Sequence, residues 1–232
     1  MSDQLAELVT ACQVLGWYGQ EDLIWGHAAV RDAGNRGAWM KSSGFGLEEM
    51  TQELLVLVDE SGSTLAGTGR RHVEYPIHTE IMKARPDVNA VVHTHWPQVV
   101  AFAATEMPLR PISHDATLFV PDRLARYESG DLITTVEQGQ SVAATLGNRP
   151  AILLAHHGMI TVGADLAEAV ITAVMLERAA RYQLLAAAAN PDFSFSSDAE
   201  AISKRGQHFT RGNIEGAWAY LLRRMAKDRS AQ

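Results

Sequence analysis

The chain has 232 residues, 47% of them hydrophobic, which suffices for one substantial core, so residues 1–232 read as a single domain. Twenty basic against 27 acidic side chains leave a formal net charge of -7, which excludes the basic footprint of a nucleic-acid binder and favours a small-molecule ligand. Cys12 is the single cysteine, so no intrachain disulfide forms; with no basic N-terminal leader pattern and no apolar run of about 18 residues, a cytoplasmic protein without membrane spans is expected.

Leu5, Leu8, Val9, Cys12 and Leu15 recur at helical spacing, and Gly16 and Gly19 punctuate the end of that helix. Cys12 falls on the apolar stripe, which makes it a packed side chain rather than a nucleophile. Short strands from Ala28 to Val30 and from Ala38 to Lys41 flank the turn signal DAGNRG and predict a hairpin. LLVLVD at 54–59 reads as a buried strand, and ESGSTLAGTG after it as a turn-rich connection. Glu74 to Ala84 reads as a helix with Pro76 near its start, and Val88 to His95 as a strand introduced by RPD. AILLA at 151–155 is a further apolar strand, ending at His156 and His157. Asp165 caps a long helix to about Ala188, on which Glu177 and Arg178 read as a solvated face, and NPDFSFSSD breaks the pattern. Hairpins mixed with helices, without a regular strand–helix alternation, predict a sheet with helices packed on it.

The chemistry concentrates in few residues. Side chains two apart on a strand share a face, so His93 and His95 of VVHTHW project together and either converge on a metal ion or are two structural histidines. His157, at the end of an apolar strand and followed by Gly158, is the candidate third ligand; its alternative is an ordinary turn residue. Glu74 opens the helix before the HxH strand, where it is either a first-turn capping acid or a proton carrier beside the ion.

GHAAVR at 26–31, SSG at 42–44, the glutamate at 74 ahead of PIHTEIMKARPDVNAVVHTHW, and LLAHHGMITVG within 151–163 together resemble the class II aldolase and adducin family, in order and spacing across nearly the whole chain. The resemblance implies an α/β fold, a class II aldolase-like α/β/α sandwich with a central, mainly antiparallel sheet. It also implies one divalent metal ion (zinc, manganese, iron or cobalt) on His93, His95 and His157, with Glu74 as catalytic acid/base. A homotetramer with active sites between neighbouring subunits is part of the same expectation.

Members acting on sugar phosphates resemble a GNxSxR, TPSG or SGG, SSE pattern whose asparagine and serines hold the phosphate. Here His27 and Ala29 replace the asparagine and serine of the first motif, and His72 and Val73 stand where the last serines would. Only Ser42, Ser43 and Gly44 survive. Each lost hydrogen bond to an ionised ligand costs on the order of 1.5 to 3 kcal/mol, so a phosphate should bind poorly. His27, Arg70, Arg71 and His72 are expected to form the same wall instead, and a guanidinium fork suits a carboxylate; Arg70 and Arg71 are otherwise solvated loop charges. The RHxExPIH pattern resembles the branch that decarboxylates hydroxylated aromatic or heteroaromatic acids. The expected function is therefore a metal-dependent carbon–carbon lyase of aromatic-compound catabolism. Its rivals are an aldolase or epimerase on a hydroxy-carbonyl or sugar-phosphate substrate, and a non-catalytic adducin-like interaction module. His114, His208 and Tyr220 are further candidates to reach a site across a subunit boundary.

Overall fold

The computed structural model describes every residue except Met1, Glu21 and Gln232. Eight strands form one sheet: β1 (His27–Arg31), β2 (Ala38–Lys41), β3 (Leu55–Val58), β4 (Thr64–Ala66), β5 (Ala90–Thr94), β6 (Leu124–Tyr127), β7 (Ala151–Leu154) and β8 (Gly158–Gly163). Their spatial order is β4-β3-β2-β1-β5-β8-β7-β6, and every neighbouring pair is antiparallel except β6 with β7. Seven α-helices are described: α1 (Ser2–Trp17), α2 (Tyr75–Ala84), α3 (Pro97–Ala104), α4 (Val136–Leu146), α5 (Leu166–Ala189), α6 (Asp198–His208) and α7 (Arg211–Ser230).

The central strands are apolar on both faces because helices cover both faces. Alternate residues of each strand enter opposite cores: Ala28 and Val30, Leu55 and Leu57, Ala90 and Val92 pack with α1, α3, α5 and α7, whereas Ala29, Val56, Val58 and Val91 pack with α2 and α4. The result is an α/β/α sandwich. Helices α2 and α4 approach closely at Gly139, where a Cβ would fall 2.7 Å from the Pro76 carbonyl oxygen. Asp165 caps α5 through the Glu168 amide, as its sequence position predicts. Among the described residues no helix is long and apolar enough to cross a membrane.

Two expectations need correction. The segment read as a connection after β3 contains β4, an edge strand whose Thr64 and Leu65 are exposed, so burial left no apolar signature there. Glu177 is not on a solvated face: it is 3% exposed, and burial pushes its carboxyl pKa up. Its neighbour Arg178 bonds Asp115 at 3.1 Å and stacks over Tyr182. The 24-residue α5 is buried on more than one side, between sheet and outer helices, so helical periodicity did not mark an exposed stripe.

Candidate metal and acid/base centre

Register brings the histidines together. β1 and β5 are adjacent, with His27 opposite His93, and residues opposite one another on antiparallel strands share a face. Their rings lie 4.9 Å apart. The Nδ1 of His93 donates to the Met159 carbonyl on β8 at 2.9 Å, which leaves Nε2 directed to the cluster, 3.7 Å from Glu74 Oε2. His95 sits one residue beyond the end of β5, and its Nδ1 is hydrogen-bonded to Asp22. That bond orients the ring and leaves Nε2 as the remaining ligand atom.

His157 closes the tight β7–β8 connection. His156 takes the left-handed backbone conformation at φ 56° and points its side chain to solvent, so His157 alone of the pair turns inward. Its ring stacks on His95 with centroids 4.9 Å apart and planes 9° apart. Gly158 permits this: a Cβ there would lie 2.5 Å from the Thr94 carbonyl oxygen and 2.9 Å from the His95 ring.

Glu74 occupies the N-cap position of α2 yet makes no side-chain cap bond. Its carboxyl instead turns to the imidazoles. Oε1 accepts from the Ile133 amide at 2.9 Å and lies 3.7 Å from His157 Nε2; Oε2 lies 3.9 Å from His27 Nε2. Burial pushes the Glu74 carboxyl up, opposed by the Ile133 amide and by His95. Burial also keeps two of the imidazoles neutral: His93 is held well below the usual histidine range, and His157 is lowered to about 4 although the Asp131 carbonyl opposes the shift.

One ligand atom from each of Glu74, His93, His95 and His157 lies within 4.8 Å of all the others. The buried Nε2 of His93 and both ring nitrogens of His157 have no well-formed hydrogen bond. Neutral imidazoles with unpartnered lone pairs around a carboxyl are costly unless something fills the gap, and a divalent cation is the group this donor set fits.

Of the expected wall, the structure brings His27 and His72 to the cluster, with ring centroids 4.2 Å apart. Ser42 is buried with its hydroxyl unbonded, while the Ser43 amide donates to the Arg70 carbonyl at 2.7 Å and Gly44 has φ 96°. Arg71 lies over the Tyr75 ring at 4.3 Å and touches the His72 carbonyl, and Arg70 is exposed. His114 and His208 pack on each other at 4.3 Å, and Tyr220 accepts from Arg224, so neither grouping joins the imidazole cluster.

Three residues escaped the sequence reading. Asp22 is 73 positions from His95 and nothing local marks it. Lys41 ends an apolar strand, completely buried, with its ammonium 3.0 Å from the Ile24 carbonyl; a charge at an inward strand position was the available signal. His78 stands one helical turn after Glu74, also completely buried. A cavity of about 580 Å³ between α1, α5 and α7 lies elsewhere, and its arginines Arg178 and Arg224 already face Asp115 and Asp228.

The family model for the class II aldolase and adducin N-terminal domain matches residues 6–184. The chain belongs to the class II aldolase and adducin family. Among curated relatives of this family member, 3,4-dihydroxyphthalate decarboxylase of Arthrobacter keyseri is 29% identical over 94% of the chain and 92% of its own length. The enzyme of the same name from Terrabacter sp. (strain DBF63) is 30% identical over 93% of the chain and 94% of its own length. Among solved structures, L-fuculose 1-phosphate aldolase from Glaciozyma antarctica PI12 superposes with a TM-score of 0.87 at 26% identity, covering 98% of this chain and 90% of that one. The sandwich is thus the class II aldolase fold, and the sequence likeness lies with the decarboxylase branch. The match ends before α6 and α7, whose Ala201, Leu221 and Met225 nonetheless enter the core beside α1 and α5.

Proposed function

We propose that this chain is a metal-dependent lyase that removes carbon dioxide from a hydroxylated aromatic or heteroaromatic carboxylic acid. The observation that carries the reading is the Glu74 carboxyl, buried among three imidazoles, released from helix capping and pushed toward its protonated form. His93, His95 and His157 would hold one divalent ion, zinc, manganese, iron or cobalt. Such an ion supplies Lewis-acid stabilisation of charge developing on a substrate oxygen next to the breaking bond.

The chain's own residues do the rest. His27, His72 and the Ser42–Gly44 turn, with the Lys41 ammonium behind them, form a wall of hydrogen-bond donors and positive charge that suits an anionic substrate. When the bond from ring carbon to carboxylate breaks, its electron pair stays on the ring, and the Glu74 proton goes to the carbon that carried the carboxylate. Glu74, then a carboxylate accepting from the Ile133 amide, recovers its proton from water. The relatives named as dihydroxyphthalate decarboxylases support this substrate class, as does the absence of the phosphate-binding serines at His72 and Val73. We take the whole chain as one domain of a cytoplasmic homotetramer with sites at subunit interfaces.

The second reading, aldol cleavage of a sugar phosphate, is favoured by the close superposition on the fuculose 1-phosphate aldolase. Metal-reconstituted protein assayed for carbon dioxide release from dihydroxylated aromatic acids, in parallel with cleavage of fuculose 1-phosphate, separates the two. Saturable release with no cleavage is expected; efficient cleavage of the phosphate ester would reverse the order.

A further inference from the structure

His78 has no place in the mechanism above, although it is completely buried one helical turn from Glu74. Its Nε2 lies 2.6 Å from the Nδ1 of His27. Two imidazoles in this contact share one proton between the facing nitrogens, and each buried ring in its neutral form carries a single N–H. Only two arrangements remain. If His27 donates from Nδ1, both rings are Nδ1–H tautomers; if His78 donates from Nε2, both are Nε2–H tautomers.

The surroundings decide between them. In the first arrangement the Nδ1–H of His78 would be a buried donor with nothing to receive it, since that nitrogen has no partner. Orphaned buried N–H groups are rarer than orphaned acceptors. The same arrangement would leave His27 Nε2, 3.9 Å from Glu74 Oε2, with no proton to offer the space between the imidazoles. In the second arrangement His78 Nδ1 is a bare acceptor, and His27 presents Nε2–H toward the Glu74 carboxyl and the space between the imidazoles.

We infer that His78 is a positioning residue that donates Nε2–H to His27 Nδ1 and so fixes His27 as a hydrogen-bond donor aimed at the substrate's anionic oxygens. The service of that N–H in turnover rests on the decarboxylase reading; the tautomer does not. The pair also accounts for His27 standing where sugar-phosphate members resemble an asparagine. An amide donates without help, whereas an imidazole donates from the required nitrogen only when its other nitrogen accepts.

Long-range proton–nitrogen correlation spectra of the zinc-loaded, ¹⁵N-histidine-labelled protein test the tautomer directly. Both rings should show a protonated Nε2 and a bare Nδ1; protonated Nδ1 on both would overturn the inference. His78→Leu should release His27 into a mixture of tautomers and lower kcat/KM by about 10- to 100-fold with zinc content unchanged, the usual scale for loss of a supporting hydrogen bond behind a site residue. His78→Gln, whose amide can donate to the same nitrogen, should restore the His27 tautomer and most of the activity. A folded His78→Leu protein that keeps His27 protonated at Nε2 alone would also defeat it. Absence of decarboxylation in the wild type with the tautomer as stated would instead count against the proposed reaction and leave the positioning role standing.

Discussion

The two ends of β1 contrast sharply in how their polar atoms are satisfied. Beyond its last residue, the Asp32 carboxylate accepts from the Gly34 and Arg36 amides, from Arg36 Nε and Nη2 at 2.8 Å each, and from Trp39 Nε1 at 2.9 Å. The Arg36 guanidinium holds that carboxyl well below the usual range. Beside it Arg31 donates to the carbonyls of Met82, Arg85 and Val88, around the turn that follows α2. At the first residue of the strand the reverse holds: the buried His27 Nε2, His93 Nε2, His78 Nδ1 and Ser42 hydroxyl have no partner. Folding alone would close such groups, as it has around Asp32. Polar atoms left open in one place and saturated a strand's length away mark where a ligand belongs and where stability is made.

The largest way to sharpen this contrast is at Glu74. Glu74→Gln keeps size and much of the hydrogen bonding but carries no exchangeable acid proton, so turnover should fall by about 100-fold to 10,000-fold while metal content and melting temperature hold. Alanine at His93, His95 or His157 should cut metal content with the fold intact. Near-normal turnover in the glutamine variant would return Glu74 to a structural role.

Acid should attack the His27 end first. His72 is lowered to about 4 and His78 to about 3, so between the ordinary histidine value near 6.5 and these values the unfolded chain binds protons that the folded chain excludes. Stability is fully present above about 6.5 and falls with acidification, by about 1.4 kcal/mol per pH unit for each ring kept neutral. Glu74, whose carboxyl is raised, opposes this with one group. Asp32 contributes nothing to the slope there, because its depressed carboxyl loses its stabilisation only below the usual carboxylate range. Urea titrations of metal-free protein at pH 7 and pH 5 should show the loss, and His78→Gln should reduce the slope; equal stability at both values would mean that the rings are protonated in the folded state.

Much of this was legible in the sequence, for reasons that also explain what was not. Strand parity and resemblance single out His93, His95, His157 and Glu74 as candidates without any long-range contact, and the structure gathers their ligand atoms within 4.8 Å of one another. The sequence leaves Glu74 open between cap and acid; its side chain turns toward Ile133 and makes no cap bond, which removes the cap and leaves the acid as the proposal. Asp22 meets His95 across 73 positions, and the Lys41 charge reaches His72 from the end of β2, neither of which periodicity reports. Helix α4 carries a weak helical signal because of Gly139 and its polar neighbours, yet that glycine is required by the close packing on α2.

The closed end should respond in stability alone. Arg31→Ala removes a charged donor from three backbone carbonyls and from the Asn89 side chain, and an unfolding cost of about 2 kcal/mol is expected with kcat of the folded protein unchanged. Denaturant melts beside a rate measurement check both halves, and a tenfold loss of kcat would contradict the separation of the two ends.

The smallest expected effect tests whether a stability device can also serve the open end. Thr135 caps α4 in a capping box: its hydroxyl accepts from the Gln138 amide at 3.2 Å, and Gln138 Oε1 accepts from the amides of Thr134 and Thr135. Two residues before the N-cap stands Ile133, whose amide donates to Glu74. Thr135→Ala should therefore cost about 1 kcal/mol of stability, the usual value for a lost N-cap. Thr210, which caps α7 through the Asn213 amide at 3.3 Å, is the matched control, because its loss should cost a similar amount far from Glu74. The two variants should part in their pH–rate profiles. The Ile133 amide favours the ionised carboxyl, so loosening it raises the Glu74 pKa further, and the limb on which Glu74 loses its proton should move to higher pH in Thr135→Ala and stay in place in Thr210→Ala. Identical profiles in both would confine the Thr135 cap to stability, and the Ile133 amide would then be held on Glu74 by the packing of α4 against α2.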